Sequence, residues 1–426
     1  MKYRSIHFIG AGGVGVAGLA HLCADLGCLV TGSDIADSAM LRSLSKRDIS
    51  VWLGSSPTRM GHPDLVVYSA AVPEQDSERL AAKAQGIPQL RRGAFLNELA
   101  LEFPVRIAVS GSHGKTTTSA MLAHILRESG QQPAYLVGGS VNGWERSASA
   151  GAKRIFVTEV DESDASQAGF PATTAIVLNI DDDHSWAIGG SAGLEKCFLD
   201  LCSNARHVLA WRTPETERLF GDNPRCALLD TALPPSAGLP VPGPQFREDA
   251  AVALEAARLH GVPHEAALAA LRSFPGVSRR MSVRAEFADS RILVEDYAHH
   301  PAELQATLTA LREAYPGYRI LVVFQPHRLE RVERYGARFA ELLSTVDWCC
   351  VLHPFGAWRT DGRQVDVRPL LADRITAPCF FTGDMRAAAV AAAREWRCHA
   401  PAVLAVIGAG DVIKVTQLVL DTGSGK

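Results

Sequence analysis

One stretch of the chain combines an apolar, β-rich run with a glycine loop and the start of a helix. The run Val105-Arg-Ile-Ala-Val-Ser is followed by Gly111-Ser-His-Gly114, and Lys115-Thr116 begins a helical pattern that stops at Gly130. Backbone N–H groups of such a loop bind phosphate oxygens, the lysine reaches them, and the threonine hydroxyl ligates Mg²⁺. We therefore predict a nucleotide phosphate-binding loop. The alternative is an ordinary glycine turn before a helix.

The spacing of this loop differs from that of the common phosphate-binding loop. Val109 stands where the pattern GxxxxGK[ST] has its first glycine, so the form here is Gly111-x-x-Gly114-Lys115-Thr116. The compact pattern is moderately specific by itself. Its position between a strand pattern and a helix pattern favours nucleotide binding.

A second glycine loop follows the first strand pattern of the chain. Gly10-Ala-Gly12-Gly-Val-Gly15 comes after Ile6-His-Phe-Ile9, and Asp34 ends the next apolar run. This spacing is typical of dinucleotide-binding folds, in which an acid at that distance binds the ribose. The same geometry serves any diphosphate at a strand-to-helix turn, so the residues alone leave NAD and other diphosphates open.

Composition excludes several classes of protein. The 426 residues are 47% hydrophobic, enough for several packed cores, and a net charge of -3 provides no basic face for nucleic acid. The nine cysteines form no CxxC pair and indicate reduced core residues. No apolar run approaches the length that spans a bilayer. We therefore expect a cytoplasmic protein with neither nucleic-acid nor membrane partners.

Alternating strand and helix patterns predict an α/β fold of three tandem domains. Residues 1–103 are predicted to form a Rossmann-like domain with the first glycine loop. Residues 104–276 would form a central parallel sheet of the P-loop ATPase type. Residues 277–426 carry four more strand patterns separated by helical stretches, which indicates a second Rossmann-like domain.

Acidic and histidine residues come directly after predicted strands. Glu159-Val-Asp-Glu-Ser-Asp164 and Asp181-Asp-Asp-His184 each end an apolar run of the central domain. Residues just beyond the carboxyl ends of parallel strands line the ligand crevice, so we expect these runs to face the phosphate-binding loop. They are the metal candidates, although runs of acids are often solvated turns.

The C-terminal domain has two further polar loops of this kind, Asp296-Tyr-Ala-His-His-Pro301 and Gln325-Pro-His-Arg-Leu-Glu-Arg331. Arg328 and Arg331 have the spacing to present a fork to a carboxylate or phosphate. Of the adjacent His299 and His300, either is as readily structural as functional.

Taken in order, these motifs resemble those of the Mur ligases of peptidoglycan synthesis. The motifs are Gly-Ser-His-Gly-Lys-Thr-Thr-Thr, Glu-Val-Asp-Glu-Ser-Asp, Asn-Ile-x-x-Asp-His, Asp-Tyr-Ala-His-His-Pro and Gln-Pro-His-Arg. The resemblance covers nearly the whole chain. It implies an ATP-dependent ligase that activates the lactyl carboxylate of UDP-N-acetylmuramate as an acyl phosphate and joins it to L-alanine. It also decides against NAD, and we expect a monomer or weak homodimer.

The resemblance implies a role for individual residues. Catalysis would involve Lys115, Glu159, His184, His299, Arg328 and Arg331. ATP would be bound by Gly111, Ser112, His113, Gly114, Lys115, Thr116, Thr117 and Arg280. Mg²⁺ would be held by Thr116, Glu159 and His184. The UDP-sugar would be bound by Gly10, Gly12, Gly13, Gly15, Asp34, Ser69 and Asn142. The amino acid would be bound by Tyr297, His299, His327, Arg328 and Arg331.

The sequence departs from the family pattern in three places. Ser185-Trp follows the Asp-His pair where the family has Leu-Asp and an aromatic residue, so we expect a difference on the acceptor side. The adenine segment Pro-Gly-x-His-Asn-x-x-Asn reads Pro242-Gly-Pro-Gln-Phe-Arg-Glu-Asp249, without the histidine and both asparagines. The chain is also somewhat short, and the loss falls between His184 and Gly276.

Besides an NAD oxidoreductase, there are two alternatives to the alanine-adding ligase. A related ligase adds a recycled tripeptide, or a different amino acid, to the same sugar nucleotide. A non-catalytic protein of this kind would only bind the UDP-sugar, but the presence of Lys115, Thr116, Glu159 and His184 argues against it.

Overall fold

The computed structural model describes residues 1–161, 166–181, 190–356 and 365–423. The chain forms two compact units. One comprises Met1–Leu239 with Glu248–Pro275, and the other comprises Pro240–Arg247 with Gly276–Lys426. The first unit contains two sheets and the second contains one. The predicted α/β architecture of three domains with mainly parallel sheets is confirmed.

The N-terminal sheet has five parallel strands in the order β3-β2-β1-β4-β5. Its strands are β1 (Ser5–Ile9), β2 (Leu29–Asp34), β3 (Ser50–Leu53), β4 (Leu65–Tyr68) and β5 (Gln89–Arg91). Its helices are α1 (Val14–Asp25), α2 (Ala39–Ser45), α3 (Pro57–Met60), α4 (Ser77–Ala84) and α5 (Arg92–Ala100). The strand order reverses between β1 and β4, and ligands of such sheets bind at this switch point.

The central sheet has seven strands in the order β12-β11-β10-β6-β9-β7-β8, all parallel except the β7–β8 pair. Its strands are β6 (Val105–Ser110), β7 (Ala134–Leu136), β8 (Ala148–Ser149), β9 (Ile155–Glu159), β10 (Thr174–Val177), β11 (His207–Trp211) and β12 (Cys226–Leu229). The helices that accompany it are α6 (Lys115–Glu128), α7 (Gly190–Ser203), α8 (Pro214–Phe220), α9 (Pro244–Leu259) and α10 (His264–Arg272). The phosphate-loop strand β6 therefore lies inside the sheet, between β10 and β9.

The sheet of the second unit has the order β13-β14-β18-β15-β16-β17. Its strands are β13 (Ser282–Glu286), β14 (Arg291–Asp296), β15 (Arg319–Phe324), β16 (Trp348–Leu352), β17 (Cys379–Thr382) and β18 (Ala402–Ile407). Its helices are α11 (Pro301–Ala314), α12 (Leu329–Leu343), α13 (Arg368–Leu371), α14 (Met385–Cys398) and α15 (Ile413–Gly423). The edge strand β13 is antiparallel to β14, and the other pairs are parallel.

Apolar residues on both faces of these sheets explain why the parallel strands read as continuous hydrophobic runs. Leu321, Val322, Val323 and Phe324 of β15 are fully buried. A single core of the first unit includes residues from both of its sheets, such as Phe8 and Phe156. Of the helices described, none has the length and hydrophobicity needed to cross a bilayer.

Candidate active site

Strand register places the predicted metal ligand next to the phosphate-binding loop. In the central sheet Val109 of β6 pairs with Glu159 of β9, and Ser110 pairs with Val177 of β10. The chain leaves all three strands at the same edge of the sheet, because they are parallel. Glu159 and the residues after Val177 therefore flank the loop, as predicted.

The loop is held in place by the residue pair that follows β10. The Asn179 side chain accepts a hydrogen bond from the His113 N–H at 2.8 Å and donates one to the His113 carbonyl at 3.1 Å. The Ser112 N–H donates to the Asn179 carbonyl at 3.1 Å, and the Ser112 hydroxyl donates to the Asp181 carbonyl at 3.0 Å. The His113 Nε2 lies 3.0 Å from the Asp181 carboxylate. These bonds fix the loop backbone in one conformation.

Both glycines of the loop are required by its geometry. Gly111 has φ +139° and Gly114 has φ +84°, conformations that side chains with a Cβ rarely adopt. A Cβ on Gly114 would also lie 2.6 Å from the Asp249 Oδ1. Asp249 belongs to the segment that departs from the family's adenine pattern, so that segment contacts the loop through a carboxylate.

The ammonium group of Lys115 lies over the loop. Its Nζ donates to the Gly111 carbonyl at 2.7 Å and to the Ser112 carbonyl at 3.3 Å, and it lies 3.5 Å from the Asp161 carboxylate. The cation is thus held where the loop would place phosphate oxygens. Lys115, Thr116 and Thr117 form the first turn of α6, and Gly114 is its N-cap.

The Thr116 hydroxyl donates a 2.7 Å hydrogen bond to the Glu159 carboxylate. Burial raises the pKa of the Glu159 carboxyl, and the Thr116 hydroxyl and the Lys115 ammonium oppose that rise. A Cβ on Gly138 would collide with this carboxylate, so glycine at that position makes room for it. Mg²⁺ prefers hydroxyl and carboxylate oxygens, and this pair supplies one of each. The third predicted ligand, His184, lies outside the described residues.

The first glycine loop lies at the switch point of the N-terminal sheet. The Gly12 N–H donates to the Asp34 carboxylate at 2.8 Å, and the Ser38 hydroxyl donates to the Gly12 carbonyl at 3.0 Å. Gly13 is the N-cap of α1, and Gly15 lies in the first turn of that helix. A Cβ on Gly10 would lie 3.0 Å from the Cβ of Ser69, which follows β4. The structure therefore brings together six of the seven residues predicted for the UDP-sugar.

The seventh, Asn142, lies on the connection between β7 and β8. Its side-chain amide donates to the Pro275 carbonyl at 3.0 Å, and the residue is exposed. A contact between Asn142 and the sugar nucleotide stays a prediction.

In the second unit, the loop after β14 separates the roles of two adjacent histidines. His300 is buried and caps α11 together with Glu303, whose carboxylate accepts the His299 and His300 N–H groups at 3.0 and 3.3 Å. The His299 Nδ1 lies 3.1 Å from the Tyr297 carbonyl and 3.0 Å from Glu303. His300 therefore caps α11, whereas the His299 ring packs edge-on against His327 with centroids 5.5 Å apart.

The loop after β15 gathers the remaining residues predicted for the amino acid. Arg331 is buried, and its Nη1 lies 3.3 Å from both the Nδ1 and the carbonyl oxygen of His327. The His327 ring also stacks on Phe355 at 5.8 Å. Arg328 has φ +68°, a strained conformation for a non-glycine residue that recurs at functional sites. Its N–H donates to the Phe355 carbonyl at 3.1 Å.

Tyr297 lies between two arginines of the second unit. The guanidinium groups of Arg279 and Arg280 are 4.8 and 4.9 Å from its ring centroid. Arg279 also donates to the Gly408 carbonyl at 2.5 Å and to the Gly410 carbonyl at 3.1 Å, in the loop after β18. Arg280 lies 3.7 Å from Glu303. Its predicted contact with ATP stays a prediction.

Sequence reasoning missed four residues that shape these sites: Asn179, Gly138, Phe355 and Arg92. Asn179 lies two residues after β10 and begins the Asn-Ile-x-x-Asp-His motif, so the motif was visible but no role was assigned to this residue. Gly138 lies in a Gly-Gly pair, another visible signal. Phe355 and Arg92 carry no motif, and only the fold reveals their neighbours.

Three family models match successive parts of the chain. The catalytic-domain model of the Mur ligase family matches residues 5–104, the Mur ligase middle domain matches 109–209, and the Mur ligase glutamate ligase domain matches 279–410. The chain is also 33% identical to the UDP-N-acetylmuramate–L-alanine ligase of Azoarcus sp. strain BH72, over 96% of both chains.

The chain belongs to the Mur ligase family. This Mur ligase is similar in fold to the crystal structure of UDP-N-acetylmuramate-alanine ligase from Thermotoga maritima, with a TM-score of 0.82 and 24% identity over 99% of this chain and all of the other. It is also similar to a murein peptide ligase from Psychrobacter arcticus, with a TM-score of 0.70 and 21% identity over 99% of both chains.

Proposed function

We propose that this Mur ligase uses ATP to join L-alanine to the lactyl carboxylate of UDP-N-acetylmuramate in peptidoglycan precursor synthesis. The observation that carries the proposal is the pairing of Thr116 and Glu159 beside the Lys115 loop, because this arrangement suits an ATP phosphate and its metal. The near full-length similarity to ligases named for these two substrates supports the choice of substrates.

The reaction proceeds in two steps. A lactyl carboxylate oxygen attacks the γ-phosphorus of ATP, the bond to the β-phosphate oxygen breaks, and ADP leaves. The uncharged amine of the amino acid then attacks the carbonyl carbon of the acyl phosphate. The tetrahedral intermediate loses inorganic phosphate, and the amine loses its proton as the amide forms.

Each group of residues has a role in these steps. Lys115 offsets charge on the transferring phosphoryl group, and the loop N–H groups orient it. Thr116 and Glu159 would hold Mg²⁺, and its charge would polarise the phosphoryl oxygens. The glycine loop at Gly10–Gly15 holds the UDP diphosphate.

The second unit binds the amino acid in this proposal. Arg328 pairs with its carboxylate, and Arg331 holds His327 in place through the 3.3 Å contact between Nη1 and Nδ1. His299, whose ring packs against His327, contributes to the amino-acid site together with Tyr297. We also propose that the protein is a monomer or weak homodimer and lies in the cytoplasm.

Phosphate release in the presence of ATP, Mg²⁺ and UDP-N-acetylmuramate tests the function. L-Alanine, glycine, L-serine and the murein tripeptide are compared as acceptors. In a separate binding measurement, free nicotinamide dinucleotide serves as the control for an NAD oxidoreductase. L-Alanine is expected to give the highest kcat/KM. A clear preference for the tripeptide would replace this assignment with that of a peptide ligase, and no release with any acceptor would indicate a non-catalytic protein.

A further inference from the structure

Arg92 lies against the first glycine loop although it is far from that loop in sequence. It is the first residue of α5 and directly follows β5, which pairs with β4. A Cβ on Gly15 would lie 2.7 Å from the Arg92 Nη1 and 3.3 Å from its Cδ and Cζ. The absence of a side chain at Gly15 therefore allows the guanidinium group to lie across the first turn of α1.

Two of the charged groups that act on Arg92 come from the other sheet of the same unit. They are Glu159, at the end of β9, and Asp161, just after it. Burial lowers the pKa of the Arg92 guanidinium and both carboxylates raise it, but an arginine remains charged at neutral pH. Arg92 thus lies against the sugar-nucleotide loop and also interacts electrostatically with carboxylates of the ATP site.

The surroundings of Arg92 at the first turn of α1 would attract an anion. The first turn of α1, which lies wholly in the described part of the chain, carries no acidic side chain. A cation beside the positive end of a helix is unfavourable, and a bound diphosphate would be attracted by both charges. A guanidinium group also presents paired donors that match phosphate oxygens.

We propose that Arg92 binds the diphosphate of the sugar nucleotide and fixes it between the first glycine loop and the Glu159 side of the ATP site. This inference rests on the proposed function and adds a residue to its sugar-nucleotide site. Arg92 lies on a helix of the N-terminal sheet and interacts with carboxylates of the central sheet. It would therefore set the distance between the diphosphate and the phosphoryl group that is transferred.

The test compares Arg92→Ala and Arg92→Lys with Arg91→Ala, which removes an exposed arginine at the neighbouring position. Calorimetry measures the Kd of the full chain for UDP-N-acetylmuramate, for UDP-N-acetylglucosamine, which has the diphosphate but no lactyl carboxylate, and for ATP. Arg92→Ala is expected to raise the Kd for both UDP-sugars by about 10- to 100-fold, as for loss of a charge-assisted hydrogen bond. Arg92→Lys should recover part of this loss.

For the Arg92→Lys variant, the Kd for ATP and the melting temperature should stay close to those of the wild type. For Arg91→Ala, the melting temperature and the Kd values for ATP and both UDP-sugars should also stay close to those of the wild type. An unchanged Kd for both UDP-sugars would overturn the inference. So would a loss confined to UDP-N-acetylmuramate, because the arginine would then bind the carboxylate. If the wild type is active and Arg92→Ala binds both UDP-sugars as tightly as the wild type, only the role of Arg92 is refuted. Wild-type protein that does not bind UDP-N-acetylmuramate refutes the proposed function as well.

Discussion

The Thr116 hydroxyl and the Glu159 carboxylate are joined by a 2.7 Å hydrogen bond that links the first turn of α6 to the end of β9. Both oxygens are suitable Mg²⁺ ligands, and the pairing holds them together before any metal binds. The arrangement depends on a hydroxyl at position 116 and on space for the carboxylate.

Replacement of Thr116 tests the hydroxyl. Thr116→Val keeps the shape of the side chain but removes the oxygen, so the Mg²⁺ concentration needed for half-maximal phosphate release should rise about 10- to 100-fold. Thr116→Ser retains the oxygen and should remain within a few-fold of the wild type. Equal Mg²⁺ dependence in the valine variant and the wild type would show that position 116 does not bind the metal.

Replacement of Gly138 tests whether the Glu159 carboxylate needs the space that this glycine leaves. A methyl group there would collide with the Glu159 carboxylate, so Gly138→Ala should displace that side chain and lower kcat by at least about tenfold. Gly336→Ala is the matched control, because its Cβ would meet neighbours only at 3.6 Å, an ordinary contact. Full activity in Gly138→Ala would mean that the position of Glu159 is not important for turnover.

Replacement of Lys115 tests whether the ATP site and the UDP-sugar site are separate. Lys115→Ala removes the cation over the loop and should lower kcat by about 10²–10³-fold, the scale for loss of one charge-stabilising group. Because the first glycine loop belongs to another sheet, the Kd for UDP-N-acetylmuramate should not change. Calorimetry and phosphate release measure the two quantities. Loss of UDP-sugar binding would contradict the placement of that ligand on the N-terminal sheet.

His21 makes the stability of the first unit depend on pH. Its buried ring lies 3.0 Å from the Ser43 hydroxyl through Nε2 and 3.5 Å from the Arg47 guanidinium through Nδ1. Burial, together with the charges of Arg47 and Arg146, lowers the pKa of His21 to about 4. Asp25 and Glu145 oppose the shift only partly.

The sign of the pH effect follows from the depressed pKa. Below about pH 6.5 the unfolded chain binds a proton on this histidine, whereas the folded chain stays neutral until about pH 4. The stability that neutral His21 contributes is therefore full above pH 6.5 and is lost as the pH falls to about 4. Denaturant unfolding should show the wild type losing about 1–2 kcal/mol more than His21→Gln between pH 7.5 and 5, after allowance for solvent screening. Parallel losses in the two proteins would exclude this role.

Local sequence patterns predicted the strands that are long and apolar, together with the residues that follow them. Leu321 and its neighbours in β15 form such a strand, and the loop at Gly111 was recognised because a strand precedes it and a helix follows it. The short edge strands β8 and β17 were not predicted. Ala148–Ser149 and Cys379–Thr382 are too short to show a periodicity, and pairing with a neighbour decides their conformation.

Contacts between distant segments were beyond the reach of sequence patterns. The hydrogen bond from the Gly12 N–H to the Asp34 carboxylate is one such contact, and the predicted binding of the UDP-sugar by Asp34 stays a prediction. His300 looked equivalent to His299 until its burial and its cap on α11 separated the two. The role proposed for Arg92 depends on its neighbours Gly15 and Glu159, which come from two other parts of the chain. Only the folded arrangement of the sheets brings these residues together.

Activation of the lactyl carboxylate is the central claim, and an isotope transfer tests it most directly. UDP-N-acetylmuramate labelled with ¹⁸O in both lactyl carboxylate oxygens is turned over with ATP and L-alanine, and the released phosphate is analysed by mass spectrometry. An acyl phosphate intermediate requires one ¹⁸O atom in each phosphate, because a carboxylate oxygen attacks the γ-phosphorus and leaves with it. Phosphate without label would contradict the account, since the carboxylate would then not have been phosphorylated.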